Sequence, residues 1–148
     1  MTTLNELYQE IILDHYRQPR GRGELEPPKI TQEGFNPSCG DEIVLDLRVQ
    51  DGRIQAVRFR GRGCSISQAS ASMLTEAVQG KTLEEARALI QQVLALVKGE
   101  TEGDFETLGD IVALAGVRHF PVRVKCATLA WHALEEALKQ VEQQGLTR

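Results

Sequence analysis

Asp41-Glu42-Ile43-Val44-Leu45-Asp46-Leu47-Arg48-Val49-Gln50-Asp51-Gly52-Arg53-Ile54-Gln55-Ala56-Val57-Arg58-Phe59-Arg60 holds two extended runs joined by a two-residue turn. Ile43, Leu45, Leu47 and Val49 alternate with polar neighbours, the period of a strand with one buried face. Asp51-Gly52 supplies the two positive-φ positions that a tight hairpin needs. Arg53 to Arg60 then returns, with Val57 and Phe59 on one face and Arg58 and Arg60 on the other. This hairpin is the strongest β signal in the chain, and the segments around it read as helices.

Upstream, Leu4, Leu7, Tyr8, Ile11, Ile12 and His15 recur at helical spacing until Pro19, Gly21 and Gly23 end the helix. A proline-rich loop is expected from there through Glu26-Pro27-Pro28 to Pro37. Downstream, Ile66, Ala69, Met73 and Ala77 form a helical stripe that Gly80 closes. Thr82 and Glu85 make a capping box for a helix lined by Leu83, Ala86, Ile90, Val93 and Val97. Lys98 to Asp104 reads as an exposed connection, Leu108 to Ala115 as a short helix ending at Gly116, and a last helix runs from Pro121 to Gly145 with Trp131 packed inside. There are no internal repeats. Strands and helices segregate along the chain, which predicts an α+β fold: an N-terminal helix, a small antiparallel sheet, then C-terminal helices packed on one face.

At 148 residues, with 17 Lys and Arg against 21 Asp and Glu, the chain fits one domain, residues 1–148, of net charge -4. That balance argues against nonspecific nucleic-acid binding, although arginines cluster at Arg17, Arg20 and Arg22 and at Arg58, Arg60 and Arg62. The second cluster reads either as a solvated strand face or as a stripe that docks an acidic partner. The sequence has no apolar run of membrane-spanning length, Met1-Thr2-Thr3-Leu4-Asn5 has no signal-peptide pattern, and the 3 cysteines are an odd number. A reducing cytoplasm with no membrane attachment is the expectation, with thiols free or metal-bound.

Each thiol sits beside a turn or a helix start. Cys39 and Asp41 lie two residues apart in Asn36-Pro37-Ser38-Cys39-Gly40-Asp41, Cys64 follows Gly61-Arg62-Gly63, and Cys126 lies in Pro121-Val122-Arg123-Val124-Lys125-Cys126. Three thiolates and one carboxylate fill a tetrahedral shell around zinc, or one edge of an iron-sulfur cluster. Without a C-x-x-C pair, the same cysteines also suit small buried hydrophobes, and both readings stay open. The helix start and the charges of Arg123 and Lys125 predict a lowered pKa for Cys126, and Cys64 also precedes a helix. Cys39, on a Pro/Gly-framed loop, is expected to be the most accessible and so the nucleophile. His119 is the histidine that could replace Asp41. His132 lies roughly 240° around the helix from Cys126, and His15 continues an apolar stripe.

The three cysteine segments resemble the IscU/NifU-type iron-sulfur scaffold family, and most closely its SufU branch. The residues that carry the resemblance are Asn36 to Asp41, Gly61-Arg62-Gly63-Cys64-Ser65-Ile66-Ser67-Gln68-Ala69-Ser70-Ala71-Ser72 and Val124-Lys125-Cys126-Ala127-Thr128-Leu129-Ala130-Trp131. The resemblance implies a SufE/NifU-like fold and makes Cys39, Asp41, Cys64 and Cys126 ligands of zinc, iron or a transient [2Fe-2S] cluster. It also implies a pyridoxal-phosphate cysteine desulfurase as sulfur donor and apo iron-sulfur proteins as recipients. IscU proteins carry a histidine where this chain has Lys125, and a Leu-Pro-Pro-Val-Lys motif where it has Phe120-Pro121-Val122-Arg123-Val124. Both departures, and the long span between Cys64 and Cys126 that includes Lys98 to Val117, look like SufU.

The function expected is iron-sulfur cluster assembly, with sulfur accepted at Cys39. The alternatives are a zinc-dependent sulfurtransferase that never holds a cluster, and a binding module in which zinc only staples the fold.

Overall fold

In a computed structural model that describes residues 4–144, the hairpin forms as β2, Asp41–Gln50, and β3, Arg53–Arg62. Asp51 and Gly52 turn between them at φ 55° and 74°. A bulge between Arg48 and Val49 skips one residue of β3, so Ile54 as well as Val57 and Phe59 turns inward, and all three are fully buried. Without that skip, Ile54 would share the outer face with Arg58.

A third strand, β1 (Ile30–Asn36), pairs antiparallel with β2 from Ile30↔Leu47 to Asn36↔Asp41 and gives the sheet order β1-β2-β3. It occupies part of the stretch expected to be loop. Its core-side positions are Ile30, Gln32, Gly34 and Asn36, so just one of the four is a large apolar residue and the alternation is too weak to read. Gly34 is needed there as space: a Cβ on it would lie 3.2 Å from Leu129 Cδ1.

Among the described residues the helices lie against that inner face of the sheet. They are α1 (Leu4–Arg17), α2 (Ser65–Val78), α3 (Leu83–Lys98), α4 (Phe105–Leu108) and α5 (Pro121–Gln143), with a 3-10 helix at Gly109–Val117 before α5. The short helix expected from Leu108 to Ala115 is thus mostly 3-10, and Gly116 sits inside it. Thr82 and Glu85 form the capping box of α3, and Gly99 ends that helix in the left-handed region. Pro121 opens α5, as expected; Gly145 lies outside the described residues.

α5 packs on β1 and β2, and α2 is sandwiched between β3, α1 and α5. Small residues make that sandwich possible: Ala69, Ser70, Ala71 and Ser72 are all fully buried. Ser70 Oγ donates to the Ala127 carbonyl at 2.6 Å and accepts from the Trp131 indole at 2.9 Å, which satisfies the polar atoms at the centre of the core. No helix among the described residues is long and apolar enough to cross a membrane.

The outer face of the sheet is organised by Asp46, which is fully buried. Its carboxylate accepts from Thr31 Oγ1 at 2.8 Å, Leu25 N at 3.0 Å, Arg60 Nη1 at 3.0 Å and Lys29 Nζ at 3.1 Å. Burial pushes its pKa up, but the Leu25 amide, the Thr31 hydroxyl, Arg60 and Lys29 outweigh it and hold the group at about 2. The loop before β1 is thereby strapped across the sheet, and Arg48 adds bonds to the carbonyls of Pro28 and Glu26.

Candidate metal centre

One rim of the molecule gathers the end of β1, the start of β2, the end of β3 and the second turn of α5. Asn36 closes the β1–β2 connection: its carbonyl accepts from Gly40 N at 2.8 Å and Cys39 N at 3.3 Å, and its Oδ1 accepts from Ser38 N at 3.2 Å. These bonds fold Pro37 to Gly40 into a tight loop with Cys39 exposed at its tip and Asp41 fully buried at its base.

Cys64 caps α2, its Sγ accepting from Ser67 N at 3.5 Å. Its own N–H donates to Asp41 Oδ1 at 2.9 Å, while Asp41 Oδ2 lies 4.0 Å from Cys64 Sγ. Gly63 makes this approach possible, since a Cβ there would lie 2.2 Å from Asp41 Oδ1 and 2.7 Å from Ser67 Oγ. Cys126, only 2 % exposed, brings its Sγ to 3.1 Å from Cys39 Sγ, with Asn36 Nδ2 at 3.9 Å. The ligand atoms of Cys39, Asp41 and Cys126 all lie within 4.8 Å of one another. Three of the four donors singled out in the sequence, Cys39, Asp41 and Cys126, therefore form one compact group, and Cys64 stands beside Asp41 at its edge.

This donor set suits a tetrahedral thiophilic ion. Thiolates about 2.3 Å from zinc stand roughly 3.8 Å apart, so Cys39 and Cys126 would need to part by about 0.7 Å. Cys39, exposed at its loop tip, has the space for that adjustment, whereas Cys126 is enclosed.

The expected lowering of the Cys126 pKa is not found. Burial drives this thiol up, and the neighbouring Cys39, Asp41 and Cys64 push it further. Cys126 is the sixth residue of α5, beyond the first turn where the helix dipole acts. Arg123 lies over the Phe120 ring, 5.1 Å from its centroid, and Arg62 pairs with Glu42 at 3.5 Å. Only an ion at the centre would offset such crowded donors as thiolates.

No histidine joins the group among the described residues. His119 is exposed on the wall of a separate cleft with Tyr8, Ile66 and Arg123. His132 is exposed near Glu135, at 3.6 Å. His15 is fully buried between Ser72 Oγ, at 2.8 Å, and Asp110 Oδ2, at 2.9 Å.

The arginine stripe also resolves differently from its pattern. Arg60 is drawn onto Asp46, and Arg58 donates to Gln79 Oε1 at 3.0 Å, whereas Arg62 reaches solvent and meets only Glu42 at the surface. Asn36 and Gly63 were visible in the motifs, but their roles depend on a strand pairing and a side-chain approach that no local pattern encodes.

The fold and this rim define an α+β domain, helices on one face of a three-stranded sheet, with a thiol-rich candidate metal centre at its edge. The chain belongs to the NifU-like N-terminal domain family, whose model matches residues 7–127. It is 43% identical over 139 residues to a Bacillus subtilis protein named as the zinc-dependent sulfurtransferase SufU, covering 94% of each chain. It is also 43% identical over 140 residues to a Streptococcus pyogenes protein named as the iron-sulfur cluster assembly scaffold protein IscU, covering 95% of this chain and 87% of that one. A solved structure from Fervidobacterium islandicum, described as an iron-sulfur cluster assembly scaffold for the SUF system, superposes with TM-score 0.82 at 37% identity, covering 92% of this chain and 99% of that one.

Proposed function

We propose that this protein serves iron-sulfur cluster assembly in the cytoplasm, accepting sulfur at Cys39 from a pyridoxal-phosphate cysteine desulfurase beside a metal centre of Cys39, Asp41, Cys64 and Cys126. The observation that carries this reading is the gathering of the exposed Cys39 thiol with the buried Asp41 and Cys126, with the half-buried Cys64 beside Asp41. A purely structural staple has no need of an exposed ligand on a loop tip.

The Cys39 thiolate would attack the terminal sulfur of the desulfurase persulfide. A new S–S bond forms on Cys39, the old one breaks, and the desulfurase cysteine leaves as thiolate, with no net oxidation. A bound zinc or iron supplies the positive charge that keeps the other thiols deprotonated. Asp41, anchored by the Cys64 amide, is the weakest and most exchangeable donor, which suits a centre that must release what it holds. Nascent [2Fe-2S] units, passed to apo iron-sulfur proteins, are cargo in this account.

The zinc-dependent sulfurtransferase reading is kept as the second one, favoured by Lys125 beside Cys126 and by the name of the Bacillus relative. Anaerobic incubation with iron, cysteine and desulfurase separates the two. Visible absorption of a [2Fe-2S] unit with matching iron and sulfide content supports the scaffold; sulfur uptake with zinc retained and no chromophore supports the sulfurtransferase. No sulfur uptake at all overturns both.

A further inference from the structure

Folding disperses the arginine stripe of β3 but assembles another set. Arg17 from the end of α1, Arg22 from the following loop and Arg62 from the end of β3 are all exposed and line one open groove of about 380 Å3. None of the residues lining it is acidic. Arg22 donates to Gln68 Oε1 at 3.3 Å and to the Gly61 carbonyl at 3.2 Å, with its guanidinium 5.8 Å from the Phe59 ring centroid. Arg62 is 81% exposed, and its contact with Glu42 is a surface pair of little strength. Arg17 makes no ion pair among the described residues. Tyr16, 46% exposed, adds a phenol to the same wall.

Gly63 also lines the groove, and it is the residue that abuts Asp41 and precedes Cys64. Whatever lies along these arginines therefore ends beside the metal centre. Arg17 and Arg62 offer forked donors to carboxylates, and Arg22, whose terminal nitrogens already donate to Gln68 and Gly61, adds positive charge. The net charge of -4 opposes a polyanion as large as nucleic acid, yet the local field of the groove acts within a Debye length of about 10 Å. We propose that this groove docks an acidic segment, rich in Asp and Glu, of a protein that acts at the Cys39 centre. What that protein delivers rests on the sulfur-transfer reading; the docking chemistry does not.

The test is a titration of fluorescein-labelled hexaglutamate with the full chain at low salt and without desulfurase. Saturable binding is expected, weakening about tenfold on raising salt from about 20 to 200 mM and at least about tenfold in Arg17→Glu/Arg62→Glu. Arg53→Glu, at the turn end of the hairpin, is expected to bind as wild type. In sulfur transfer the double variant should raise the KM for desulfurase with kcat unchanged. Absence of saturable binding, equal binding by the double variant, or preference for a single-stranded RNA of equal charge would overturn the proposal. A wild-type chain that binds the peptide but takes up no sulfur would refute the proposed function and leave the groove standing.

Discussion

The Sγ atoms of Cys39 and Cys126 stand 3.1 Å apart although 87 residues separate them. Strand β1 puts the Cys39 loop over α5, and Gly34 lets α5 approach the sheet closely enough for its second turn to meet that loop. Cys64, the cap of α2, stands instead nearest Asp41. Cys39 and Cys126 are thus the close thiol pair of a group that includes Asp41, and Cys64 joins that group beside Asp41.

That pairing fixes which thiols couple. In chelator-stripped protein a mild two-electron oxidant such as diamide should join Cys39 to Cys126 and leave Cys64 alkylatable. Peptide mapping after alkylation checks this; a link from Cys39 to Cys64 as the main product would contradict the geometry.

Gly63→Ala places a Cβ 2.2 Å from Asp41 Oδ1, so Asp41 must leave the Cys64 amide or α2 must shift. Zinc affinity should fall at least about tenfold, with folding stability down by about 1–3 kcal/mol. Competition with a chromophoric chelator, alongside thermal unfolding, measures both. Unaltered zinc affinity in a folded variant would remove Asp41 from the centre.

Asn36→Ala deletes the acceptor for Ser38 N and the donor to Cys126, freeing the loop at a stability cost of about 1–2 kcal/mol. Alkylation of Cys39 in metal-free protein should quicken roughly threefold, whereas Asn36→Asp, which keeps the acceptor for Ser38, should retain most of the wild-type protection. Equal rates in Asn36→Ala and wild type would show that Asn36 does not position the loop.

Asp46 makes stability depend on acid pH. Its pKa is about 2 in the fold against 3.8 unperturbed, so its contribution is complete above about pH 4 and disappears as pH falls through 2. The loss is about 2 kcal/mol across that window. Asp46→Asn should cost about 2–3 kcal/mol at pH 7, less than a fully enclosed ion pair because Lys29 and Arg60 reach solvent. Urea unfolding at pH 7 and at pH 2 to 4 tests this: a variant as pH-sensitive as wild type in that window would reassign the titration.

What could be read in the sequence follows from how local each signal is. The β2–β3 hairpin was legible because period-2 alternation and Asp51-Gly52 agree, and α3 because Thr82 and Glu85 cap it within four residues. Strand β1 was not, since Gln32, Gly34 and Asn36 face the core in place of apolar residues. Asp46 reads as one polar position among alternating residues, and only a loop that folds back over the sheet turns it into a buried hub. The four donors of the candidate centre stood out as chemistry. The rise in the Cys126 pKa did not, because it comes from burial and from thiols brought near by tertiary contacts.

The most direct measurement of the central claim is the location of the transferred sulfur. Brief incubation of the zinc-loaded chain with cysteine desulfurase, cysteine and pyridoxal phosphate, followed by alkylation and mass spectrometry, should add the mass of one sulfur to the peptide holding Cys39. Cys39→Ser should take up none while it still folds. Sulfur found only on Cys64 or Cys126, or undiminished uptake in Cys39→Ser, would contradict the account.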